Sequence, residues 1–137
     1  MRFGLTSRRL FLGLAITQAA HSTEEYYFRL YDVLAFARYV VGFISSNLAL
    51  GFAVTNSLFV AFIFWTYFRR VQTAAVTATA WIWGWSLLEF ANGNGHIILA
   101  VNTGGYFPGL FTAPFLVLIS LALMYRLVHP VGQAPAQ

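Results

Sequence analysis

His21, Glu24 and Glu25 stand at i, i+3 and i+4, a spacing that brings side chains onto one face of a helix. Glu89, Asn92 and His96 stand at i, i+3 and i+7, one face again if the helix continues that far. Imidazole, carboxylate and amide form a donor set suited to zinc, iron or manganese. A histidine followed by carboxylates three and four residues on offers one divalent ion several donors from a single rigid helix. On this reading His21, Glu24, Glu25, Glu89 and His96 are the metal ligands. Asn92 steadies a ligand from behind, and Glu24 or Glu25 is the candidate base. Di-metal carboxylate centres in helical bundles combine Glu with Glu-x-x-His. The order here is His-x-x-Glu-Glu, so the likeness is one of donor type.

These residues stand out because charge is scarce. The chain has 137 residues, of which 59% are hydrophobic, 18% aromatic and only 9% charged, with a mean hydropathy of +0.69. A soluble domain carries about 25% charged residues, so this composition points to an integral membrane protein. It argues against a soluble enzyme, a disordered tail and a nucleic-acid-binding domain. The net charge of +4 comes entirely from scattered Arg, without a basic stripe. There is no Cys, which excludes disulfides, thiolate metal sites, iron–sulfur ligation and c-type haem.

Four apolar runs must position the polar residues. They cover about 10–27, 48–68, 71–100 and 110–128, joined by an amphipathic segment at about 28–44 and followed by a short polar tail at 131–137. In the amphipathic segment Leu30, Val33, Leu34, Ala37, Val40, Val41 and Ile44 follow one helical stripe. Ser45-Ser46-Asn47 reads as a turn with an N-cap, and Pro114 as a kink in the last helix. The expected fold is therefore an all-α bundle of four transmembrane helices with one interfacial segment. Ser7-Arg8-Arg9-Leu10-Phe11-Leu12 resembles a twin-arginine signal. Because the apolar pattern resumes downstream, an uncleaved first span is expected instead.

The arginines orient this bundle. With the N-terminus in the cytoplasm, Arg2, Arg8, Arg9, Arg69, Arg70 and Arg126 share one side and only Arg29 and Arg38 lie opposite, as the positive-inside rule requires. Both termini are then cytoplasmic, in a bacterial inner or other internal membrane, and both polar clusters fall in the non-cytoplasmic half. Depth is less comfortable. His96 lies about 39 Å along a straight helix from Arg70, against a hydrocarbon core of about 30 Å. Either that helix tilts strongly, or Gly93 and Gly95 let it bend back.

His21-Ser22-Thr23-Glu24-Glu25 resembles the defining motif of the HXXEE family, a group of integral membrane proteins of uncharacterised function. Asn92-Gly93-Asn94-Gly95-His96 resembles the Asn-x-x-x-His motif of the same family. The resemblance covers most of the chain. It implies that His21, Glu24, Glu25, Asn92 and His96 belong together, and it supplies neither a metal nor a reaction. It also implies a further His; His129, the only one left, falls on the opposite face of the membrane.

Two function classes follow. One is a small membrane metalloprotein acting on a lipid-like substrate. The other is a non-catalytic accessory or assembly subunit of a larger membrane complex, whose aromatic faces meet pigments or partner helices. Blander pairings remain open for the acids, Glu24 or Glu25 with Arg29 or Arg38, and Glu89 with Arg38. Besides the lipid bilayer, the partner expected is a membrane complex, with no nucleic acid.

Overall fold

Glycine and proline are sparse within the apolar runs, and most of each run folds as helix. A computed structural model describes residues 5–129; the tail expected at 131–137 lies outside them. Six α-helices follow in order: α1 (Leu5–Tyr27), α2 (Leu30–Val33), α3 (Ala35–Gly42), α4 (Leu48–Thr66), α5 (Ala78–Thr103) and α6 (Ala113–Val128). The end of α4 widens into a π-helical segment, Tyr67–Val71. The described residues contain no strand.

The four long helices run alternately up and down. The start of α1 meets the end of α4, where the Phe11 ring lies 6.5 Å from that of Tyr67. The end of α1 meets the start of α6 through Glu24 and Thr112. α6 packs closely on α5 because of Gly93, where a Cβ would fall 2.7 Å from the Ala113 carbonyl oxygen.

Several boundaries differ from those expected. The amphipathic segment 28–44 is two short helices, because Arg29 adopts φ 57° and Leu34 is extended. Arg38 holds the break together by donating to the backbone oxygens of Tyr31 and Asp32, as cations do at helix C-termini. The third long helix begins at Ala78, not Val71, since residues 72–77 make the reversal that antiparallel neighbours need. It then continues unbroken through Gly93 and Gly95 to Thr103, so no bend there brings His96 home. The last helix starts at Ala113, and Pro114 sits in its first turn, where the missing N–H costs nothing. No kink is required of it. Asn47 does cap α4, its side chain accepting from the Leu50 N–H at 3.1 Å.

Two apolar clusters bracket the polar centre. One, near the arginine-bearing helix ends, contains Phe11, Leu14, Ile63, Ile82, Trp85, Leu116 and Leu123. The other contains Leu30, Tyr31, Val41, Phe52, Ala100 and Phe107. Between them Gln18, His21, Ser22, Glu24, Glu25, Glu89 and His96 are all buried. The outside reverses this pattern. Leu58, Phe62, Phe68, Phe115, Leu118 and Tyr125 are exposed along α4, its π-helical end and α6. Among the described residues one continuous helix, Leu48–Val71, is long and apolar enough to cross a membrane.

Candidate metal centre

The centre is built from two helices and one loop. On α1, His21 and Glu25 are one turn apart, so both side chains point the same way. On α5, His96 faces them across the bundle. His96 Nε2 lies 3.1 Å from Glu25 Oε1, and His21 Nε2 lies 3.4 Å from the same oxygen. The two imidazoles meet edge to face with centroids 4.6 Å apart. One donor atom from each of His21, Glu25 and His96 falls within 4.8 Å of the others, and all three residues are buried.

The loop between α5 and α6 fixes both rings from behind. His96 Nδ1 lies 2.6 Å from the Pro108 carbonyl oxygen. A carbonyl only accepts, so Nδ1 must carry the proton. His21 Nδ1 lies 2.7 Å from Thr112 Oγ1, and the Thr112 hydroxyl donates to Glu24 Oε2 at 2.6 Å. Its proton thus spent, Thr112 accepts from His21, which is again protonated at Nδ1. Each ring is left with its Nε2 lone pair aimed at a carboxylate oxygen. His21 Nε2 has no hydrogen-bond partner. Two imidazole nitrogens and a carboxylate oxygen thus converge in a buried space, an arrangement that either a further proton or a metal ion would complete. An outward Nδ1–H bond to a carbonyl or hydroxyl is the usual setting of a metal-binding imidazole.

Spacing allows the same conclusion. Tetrahedral ligands at about 2.0–2.1 Å from an ion sit about 3.3 Å apart, close to the two His–Glu25 separations. The arrangement of His21, Glu25 and His96 is therefore compatible with a metal ion.

The other expected ligands do not join this trio. Glu24 is rotated onto the loop. Its Oε1 accepts from the Tyr106 hydroxyl at 2.7 Å and the Phe111 N–H at 3.0 Å. Its Oε2 accepts from the Thr112 N–H at 3.0 Å as well as from the Thr112 hydroxyl. Partial burial and the facing Glu24 carboxylate push the Tyr106 hydroxyl well above the ordinary phenol range, so it stays a donor. Glu89 is fully buried. Its Oε2 accepts from Asn92 Nδ2 at 3.3 Å, and its Oε1 has no partner. Asn92 thus attends Glu89 and not the trio. Neither exposed arginine neutralises the centre: Arg29 pairs with Asp32 at 2.6 Å, and Arg38 is occupied by backbone. His129 is exposed at the far end of α6.

Thr112, Pro108 and Gly109 are functional residues that the sequence reading does not single out. The available signal was Pro108-Gly109 with a hydroxyl residue just before Pro114, a pattern that marks a tight turn into a helix. Thr112→Val tests the contact on His21. It removes the hydroxyl that orients the ring, and the expected result is about 10–100-fold weaker ion binding, read by competition with a chromogenic chelator.

Fold and centre together define a small all-helical protein with a buried histidine–carboxylate centre. The chain belongs to the family described as "Protein of unknown function with HXXEE motif", whose profile matches residues 12–124. No curated protein and no solved structure matches the chain significantly.

Proposed function

We propose that this protein is a membrane-embedded metalloprotein in which α1, α4, α5 and α6 span the bilayer and His21, Glu25 and His96 hold one divalent ion. The observation that carries the reading is the pair of imidazole Nε2 atoms aimed at one carboxylate oxygen, each with its Nδ1 committed outward. The donor set of two imidazoles and a carboxylate suits zinc, iron or manganese. Three protein ligands leave a fourth position open, as in catalytic sites, where the ion would act as a Lewis acid. The polar interior and apolar exterior support the membrane setting. Exposed Leu, Phe and Tyr on α4 and α6 would form an untenably large apolar surface in water.

The test is the metal content of protein purified in mild detergent. A stoichiometric ion is expected in the wild type and its loss in His21→Ala and His96→Ala, with helical content preserved by circular dichroism. A folded wild type that takes up none of the three metals would sink the reading.

The accessory-subunit reading has its own observation. Phe36, Tyr39 and Phe43 form an exposed aromatic row on α3 and just past its end. Fixed co-purification with a large complex, together with absence of metal, would favour it.

A further inference from the structure

α4 and α5 are joined near the arginine-bearing end of α4. Trp85 Nε1 donates to Thr66 Oγ1 at 3.1 Å, Phe59 meets Trp85 at 5.1 Å and Phe62 meets Trp81 at 5.7 Å. At the level of the centre a cleft of ≈ 370 Å³ opens between them instead. Its floor is polar: Gln18 and Glu25 from α1, Asn56 from α4 and Asn92 from α5. Its mouth is apolar, bordered by Phe59, Leu88 and Ala91, of which Leu88 and Ala91 are exposed on the outside of the bundle. Gln18 is 2% exposed. Its Nε2 donates to Ser22 Oγ at 3.0 Å, while its Oε1 has no partner.

We propose that this cleft is a lateral site for a single-chain amphiphile, a long aliphatic chain ending in a small carboxyl head. The head sits on the polar floor beside Glu25, and the chain leaves between Phe59 and Leu88 toward the surrounding lipid. The proposal deepens the metal-centre reading and rests on it for the group that the head meets. A divalent ion would offset most of the negative charge of Glu24, Glu25 and Glu89, which lowers the repulsion a carboxyl head would meet. The amides of Asn56 and Asn92 supply donors for the head. The volume lies near the lower end of the ligand-site range, about 300–1,000 Å³. It admits one chain end and excludes the two chains and phosphate of a bilayer lipid.

The experiment uses full-length protein in nanodiscs and palmitic acid carrying a mid-chain diazirine. After irradiation, adducts are expected at Phe59, Leu88 and Ala91. They should be lost in Ala91→Trp and in Leu88→Trp, which plug the mouth from exposed positions. Cobalt-loaded protein should keep its cobalt in both variants. In the wild type its visible spectrum should shift with palmitate and not with acetate at the same concentration. Adducts scattered over the outer faces of α4 and α6, alike in wild type and Ala91→Trp, would overturn the proposal. So would equal labelling of the cleft by a photoreactive phosphatidylcholine. Cleft adducts in a protein that takes up no cobalt would uphold the cleft and sink the metal reading. Cobalt uptake with scattered adducts would do the reverse.

Discussion

Gly109→Ala is expected to dismantle the centre without touching a ligand. Gly109 holds φ +94°, and a Cβ there would fall 2.6 Å from His96 Nδ1 and 2.7 Å from His21 Cε1. The backbone at this residue is in direct contact with both rings, so neither can retreat without leaving Glu25. An alanine in left-handed backbone costs about 1–2 kcal/mol, and overpacking a tight site adds about 1–3 kcal/mol. The expected outcome is a lower unfolding temperature in detergent together with loss of bound ion. Unchanged melting with unchanged ion retention would show that the loop does not clamp the rings.

The two neighbouring glutamates should fail in opposite ways. Glu24→Ala removes the acceptor of two backbone N–H groups and two hydroxyls. The hydroxyls can turn elsewhere; the N–H groups of Phe111 and Thr112 cannot. Leaving them unpaired costs about 2–6 kcal/mol in all, and His21 loses its support through Thr112. Glu25→Ala takes away the oxygen shared by the two imidazoles. It should leave melting close to the wild type in metal-free protein while abolishing ion binding. Thermal unfolding of both variants, with and without added zinc, separates the cases. A Glu24→Ala protein as stable as the wild type would refute the bracing role.

Much of this division was within reach of the sequence. Residues 24 and 25 are turned about 100° from each other around a helix, so both cannot face one ion squarely, and His21 with Glu25 at i+4 is the closer pair. The meeting of His21 with His96 was legible because a chain poor in charge has few other places to put them. What the pattern could not contain is the loop. Pro108, Gly109 and Thr112 act through a carbonyl, a missing Cβ and a hydroxyl, and none of these differs in hydropathy from an ordinary connection. For the same reason hydropathy alone starts the last helix at Leu110, where the structure starts it at Ala113. Leu110 and Phe111 extend the apolar run, although the chain there is still turning beneath Glu24. The continuity of α5 through Gly93 and Gly95 was hidden too, since glycine that breaks a helix and glycine that admits a neighbour look alike until α6 is in place.

The order in which the pieces leave the ribosome gives the clamp a further meaning. His21 and Thr112, bonded to each other, are 91 residues apart, and α6 follows the loop that contains Thr112. A chain interrupted after α5 owns all three donors yet has no partner for Glu24 and nothing behind either ring. Assembly of the centre therefore waits until the loop and the start of α6 have been made. Until then His21 and His96 lack the groups that hold their Nδ1 atoms, and Glu24 lacks the four donors that turn it away from the trio.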